Sequence, residues 1–289
     1  MMVFGGRSIL ALLGVLLLVC SRVASAQADE RILYASVVDR DGAPVLDLTA
    51  KDFVVREDGV SREILRVGRD TDPLQIALLV DNSATMESRL TEIRRALGTF
   101  VDATRGGVEI ALITLAERPT IAVAYTSDRA TLHKAIDRLF AYSVGNYLLD
   151  GIAETSQGLS KHATSRAAIV AIIGGGPELS YRQYTEVLRF LREGGATLHV
   201  LALDVRGVAG GREIVLGKGT AETGGRYENI VSPAALEPKA KQMATEVSNQ
   251  YRVTYARPER LIPPKTTEVS VKRQDLKARG MPIRTDKDK

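Results

Sequence analysis

Three runs, "QIALLV" (75–80), "AAIVAIIGG" (167–175) and "TLHVLALDV" (197–205), are almost continuously apolar. A strand of that composition has to be covered on both faces, which is the condition of a parallel sheet between two helical layers. The stretches between them carry the helical period: Leu90, Ile93, Leu97, Phe100 and Val101 recur at the spacing of one helix face. Helices are predicted over about 87–103, 129–140, 147–159, 181–193, 212–223 and 233–249, with a brief strand at 226–230. "VEIALITLA" and "TIAVAYT" flank the short "ERP" (117–119) and read as a hairpin, so one strand of the sheet is antiparallel. The prediction over residues 73–249 is one doubly wound α/β domain, a mostly parallel sheet with helices on both faces.

Both flanks of that domain read differently. Residues 27–72 alternate short apolar runs with the turn signals Asp41-Gly42 and Asp58-Gly59, and strands are predicted near 32–39, 52–57 and 61–67. Three short strands make a thin layer that needs a partner. Alternation returns in residues 250–289 with "YRVTYA" and "TTEVSVKR", separated by the proline-rich "RPERLIPPK". The economical arrangement is a single small β unit built from both ends of the chain, with the α/β domain inserted between them. The basic stretch from Lys272 to the carboxyl end reads as a solvated strand and tail.

At the amino end, Arg7 precedes the apolar run "ILALLGVLLLVC", and "ASA" follows at Ala24–Ala26, the pattern of a signal peptide over 1–26. The run is shorter than the roughly 20 residues that span a bilayer, and no later stretch is apolar enough to serve as an anchor. The expected product is exported, to a periplasm or beyond the cell, and starts at Gln27. Cleavage there removes Cys20, the only cysteine, and leaves no disulfide; a lipid-modified Cys20 is the alternative, disfavoured by the bulky Val19 before it. The formal charge of +4 includes Arg7 and Arg22. The remaining basic residues are scattered and there is no Trp, so nucleic-acid binding is not expected.

The stretch "LLVDNSATM" (78–86) ends an apolar strand on a carboxylate and follows it with two hydroxyls. In open α/β sheets ligands bind outside the carboxyl ends of the strands. A bare carboxylate there is unfavourable unless a cation or hydrogen bonds satisfy it. The alternate spacing of Asp81, Ser83 and Thr85 turns three oxygen-bearing side chains one way, an oxygen-only set suited to Mg²⁺, Mn²⁺ or Ca²⁺ and not to zinc. The same residues also suit helix capping, in which a side-chain oxygen accepts from the first free backbone N–H groups.

With these residues in place, the chain resembles the von Willebrand factor A family, and in particular its bacterial secreted, acidobacterial-type branch. "LLVDNSATM" is similar to that family's Asp-x-Ser-x-Ser metal loop, with Thr85 for the last serine. "VVDRDGAPVLDLTAKDFVVREDGVSREI" resembles the segment this branch carries ahead of its A domain, and "NQYRVTYA" its closing strands. The resemblance implies a metal-ion-dependent adhesion site completed by a threonine from a second loop and an aspartate from a third. Here "VGNYLLDGI" places Asn146 where the threonine is expected, and the third loop has Gly174 to Gly176 in place of Thr-Asp-Gly. No carboxylate remains there unless Glu178 folds back. The implied cation set is Asp81, Ser83, Thr85 and Asn146, and with one carboxylate it binds weakly or closes only when a partner supplies its own.

Other chemistries have less support. A phosphatase with Asp81 as nucleophile would need a second carboxylate where Ser83 stands. No Gly-x-Ser-x-Gly elbow is present, and neither glycine-rich stretch fits a nucleotide cradle. His133 and His162 read as surface residues, and His199 as a satisfied core histidine. Asp204 is the other carboxylate at this sheet edge, and Tyr147, Tyr181 and Tyr184 either rim it or pack helices. The expected function is a non-catalytic protein-binding module, dependent on a divalent cation through a degenerate site. The alternative is a metal-independent scaffolding module of the cell envelope.

Overall fold

The computed structural model describes residues 28–161, 166–205, 210–258 and 262–282. The predicted signal peptide, Cys20 and His162 lie outside the described residues. From the amino end come β1 (Ala28–Val38), β2 (Phe53–Glu57), β3 (Val60–Arg62) and β4 (Ile64–Arg69). The middle of the chain supplies β5 (Leu74–Val80), α1 (Leu90–Ala103), β6 (Glu109–Thr114), β7 (Thr120–Thr126), α2 (Arg129–Asp137) and α3 (Leu148–Lys161). It continues with β8 (Arg166–Gly174), α4 (Tyr184–Gly194), β9 (Ala196–Leu203), α5 (Gly211–Ile214), α6 (Thr220–Glu222), β10 (Arg226–Ile230) and α7 (Leu236–Ser248). Three strands close the chain: β11 (Tyr251–Pro258), β12 (Thr267–Val271) and β13 (Lys277–Pro282).

The central sheet has six strands in the order β10-β9-β8-β5-β6-β7, parallel except for β7, which runs antiparallel to β6. Period-two geometry divides each apolar run between two cores. Ile76, Leu78, Val80, Val170 and Ile172 point to a core closed by α1 and α7. Ala77, Leu79, Ile169, Ala171 and Ile173 point to the opposite core, closed by α3 and α4. Each fully buried leucine or isoleucine contributes about 1.5–3 kcal/mol, which is why these strands cannot alternate with polar residues.

The flanks form the small β unit expected from both ends of the chain, and it consists of two sheets. One runs β13-β1-β11-β4 and the other β12-β2-β3. Each takes strands from both ends of the chain, and they share one core that includes Leu33, Phe53, Val55, Tyr251, Val253 and Tyr255. The basic carboxyl stretch supplies β13, which pairs with β1 from Leu33↔Pro282 to Val38↔Lys277.

Buried charge ties the flanking sheets to the α/β domain. Arg166 at the start of β8 is ion-paired with Asp70 just after β4, and donates to Val247 O at 3.0 Å and Gln250 Oε1 at 2.8 Å. Glu246 of α7 accepts from Arg279 of β13 at 2.6 Å and is paired with Arg226 of β10 at 3.3 Å. His199 of β9 is buried with neither ring nitrogen hydrogen-bonded, so it is a core histidine but not a satisfied one. Burial holds its imidazole down at about 4, with the Glu246 charge opposing that shift and Arg226 and Arg279 adding to it.

Candidate functional site

Asp81 directly follows β5, at the rim of the parallel strands' carboxyl ends. Its side chain is not presented to solvent: the residue is 0% exposed. Oδ1 accepts the Ser83 backbone N–H at 3.0 Å, while Oδ2 accepts from Asn146 Nδ2 at 2.9 Å and from the Gly174 backbone N–H at 3.1 Å. Three N–H donors from three loops therefore satisfy one buried carboxylate, the arrangement that makes burial of such a group tolerable. The hydroxyls of Ser83 and Thr85 bond to each other at 2.8 Å. Ser83 occupies the N-cap of a 3₁₀ turn over Ala84–Arg89, but its side chain makes no capping bond; the carboxylate that accepts a backbone N–H at the start of this turn is Asp81.

The second loop docks through Asn146, also 0% exposed. Its backbone N–H donates to Pro177 O at 3.0 Å, and its carbonyl accepts from Leu179 N at 2.8 Å. The third loop is built around its glycines. A Cβ on Gly174 would lie 2.1 Å from Met86 Sδ, and one on Gly176 would lie 2.6 Å from Thr85 Oγ1. At Gly175 the nearest atom to a Cβ would be Asp204 O at 3.7 Å, so this position alone has room for a side chain.

Glu178 does not fold back onto Asp81's oxygens. Its Oε1 accepts from the Ser180 N–H at 3.1 Å, and burial raises its carboxyl above the usual range against the pull of the Ser180 bonds and Arg212. Asp204 sits at positive φ (48°), 3.8 Å from Arg89 Nη2.

These residues do not fit a divalent ion as the sequence led us to expect. Asp81 is the lone carboxylate of the set and both of its oxygens accept from protein N–H groups. Ser83 and Thr85 bond to each other through their hydroxyls, and Asn146 turns its N–H to Asp81, leaving its Oδ1 buried without a partner. A cation there would have to displace N–H donors that already satisfy the carboxylate. Among the described residues no group of three or more His, Cys, Asp or Glu side chains could hold a metal.

Three groups that organise this edge went unnoticed in the sequence. Arg212 is buried and donates to the carbonyls of Gly174 and Gly176, at 3.0 Å for the latter, clamping the glycine loop. Asn82 accepts from Ala116 N at 3.0 Å and donates to Phe140 O at 3.1 Å, joining three loops. Asp150 accepts the N–H groups of Tyr181 and Arg182, each at 3.1 Å, and so fixes the loop that carries Tyr181. Of these, only Asn82, beside Asp81, had a local signal.

Around the buried hub the edge exposes large apolar side chains: Phe140 at 64%, Val144 at 74% and Tyr181 at 84%. Tyr181 and Tyr147 lie with ring centroids 6.0 Å apart, and Phe140 and Tyr142 at 5.2 Å. Tyr184, by contrast, packs against the core beneath α4.

Residues 76–177, from β5 to the glycine loop, match the family model of the von Willebrand factor type A domain. The chain carries a von Willebrand A domain. Among solved structures, the fold is similar to "von Willebrand factor type A from Catenulispora acidiphila", at 11% identity and a TM-score of 0.52. That match covers 89% of this chain and 66% of the other, just under two thirds of its length. The vWF domain of the type V pili tip protein Mfa5 from Porphyromonas gingivalis also matches, at 14% identity and a TM-score of 0.49, covering 61% of this chain and 95% of that one. No curated protein matches in sequence. Among the described residues no helix of this A-domain chain is long and apolar enough to cross a membrane.

Proposed function

We propose that the chain is an exported, non-catalytic protein-binding module that engages its partner through the carboxyl edge of the A-domain sheet, without a cation. The observation that carries this reading is the exposed apolar rim of Phe140, Val144 and Tyr181 on loops that the hydrogen bonds of Asp81, Asn82 and Asp150 hold in place. Exposed aromatic groups on a rigid support form the core of protein interfaces. A non-catalytic role is supported by the commitment of Asp81: a buried carboxylate accepting three N–H bonds is neither a free nucleophile nor a free base.

The test is capture of partners from the exported fraction by the immobilised chain, with and without chelator. Capture should be unchanged by chelator and lost in Phe140→Ser/Tyr181→Ser, whose melting temperature stays near that of the wild type. Capture that survives the double variant points to the scaffolding alternative; capture abolished by chelator restores the cation.

A further inference from the structure

Among the described residues β7 is the last strand of the central sheet, with no strand beside it on one side of its backbone. Such edges are templates for another chain, and natural sheets blunt them with charged residues. The other edge strands follow that rule: β10 carries Arg226 and Glu228, β13 Lys277 and Arg279, β4 Arg66 and Arg69, β12 Glu268 and β3 Arg62. β7 reads Thr-Ile-Ala-Val-Ala-Tyr-Thr, with no charge, no proline and no glycine. Thr120, Ile121, Ala122 and Ala124 are exposed, Ile121 at 67%.

The order of those seven residues is nearly the same in both directions. We propose that β7 pairs antiparallel with β7 of a second copy about a two-fold axis at Val123, joining two six-stranded sheets edge to edge. In that register Thr120 faces Thr126, Ile121 faces Tyr125, Ala122 faces Ala124 and Val123 faces itself. β-branched and aromatic residues paired across strands, and threonine opposite threonine, are the combinations that stabilise antiparallel ladders.

Outside these seven residues the chain leaves the ladder at both ends: Glu117 lies at positive φ in the hairpin turn, and Asp128 caps α2, accepting from Ala130 N at 3.0 Å. The occupant is therefore this same chain: the strand is complementary to itself, which is what a closed two-fold contact requires.

The two register shifts between β6 and β7 interrupt the alternation of the strand, Val123 packing against one core and Tyr125 against the other, so the seam is a bulged one and weaker than a regular ladder. Seven paired residues make a seam of roughly 24 Å at about 3.4 Å per residue, shorter than obligate interfaces. A concentration-dependent dimer follows.

Sedimentation equilibrium of the chain from Gln27 tests this. The weight-average mass should climb from one toward two chain masses as concentration rises. Ala122→Lys/Ala124→Lys sets ammonium groups opposite each other at both positions and should weaken the dimer at least tenfold. Ala122→Glu/Ala124→Lys sets opposite charges face to face and should dimerise at least as well as the wild type. All of these changes are at exposed positions, and unchanged thermal melts would show that the fold is kept. A monomer at every concentration, a dimer indifferent to both variants, or equal weakening by both would overturn the proposal.

Discussion

Replacing Asp81 with alanine should unfold the domain earlier, and by an amount the hydrogen bonds set. Three buried donors, Ser83 N, Asn146 Nδ2 and Gly174 N, lose their acceptor at once. Each orphaned donor costs about 1–3 kcal/mol, so the upper bound is about 9 kcal/mol. Water entering the truncated space and relief from burying a charge offset part of this, which leaves an expected loss of about 3–4 kcal/mol, near the top of what single substitutions do. For a chain of this size that is a fall in Tm of about 6–16 °C. Asp81→Asn keeps the volume but turns an amide N–H₂ toward donors, so it should also destabilise, by about 2–3 kcal/mol. The assay is thermal and urea unfolding with and without millimolar Mg²⁺, Mn²⁺ or Ca²⁺. The wild-type Tm should not move with any of them, and the Asp81→Ala loss should be the same in all. A wild-type Tm raised by one cation, with the rise gone in Asp81→Ala, would refute the hydrogen-bonded hub; so would a loss below about 1 kcal/mol.

Three further outcomes follow from the buried groups. His199 titrates near 6.5 when unfolded and is held at about 4 in the fold, so the unfolded state binds the extra proton between those values and stability rises with pH across that window, by about 3 kcal/mol. Urea midpoints of the wild type from pH 4 to 7 should show that slope, and His199→Leu should flatten it. Arg166→Met strands the Asp70 carboxylate in the interface between the flanking sheets and the A domain and should cost about 3–5 kcal/mol, while Arg166→Met/Asp70→Asn should recover much of it in the same urea titration. Gly174→Ala drives a methyl into Met86 and should cost about 1–3 kcal/mol; Met86→Ala/Gly174→Ala should lose less than the sum of the two single changes, measured as a double-mutant cycle.

Much of the architecture was legible in the chain. Apolar strands at 75–80, 167–175 and 197–205 demand cover on both faces, and the amphipathic stretches between them are long enough to supply it. The antiparallel β7 was announced by a connection around "ERP" that is too short for a parallel crossover; it spans five residues, 115–119. Helix starts were less secure. The predicted helix from 87 begins as a 3₁₀ turn at Ala84, and the one predicted from Tyr181 begins at Tyr184, because Asp150 captures the N–H groups of Tyr181 and Arg182 from another helix.

By itself the sequence determined that Asp81 ends a strand at the sheet's carboxyl rim, since period is a local property; that Asn146 and the glycines face it from two other loops came from the resemblance to the A family. Only the tertiary structure decided what surrounds that carboxylate. Its partners stand 65 and 93 residues away in the chain, and whether they offer N–H groups or oxygens depends on how the loops close over it. The same holds for the flanks: alternation marks the strands, but the splitting of β12 and β13 between two sheets is set by pairing register and a shared core, which no local pattern encodes.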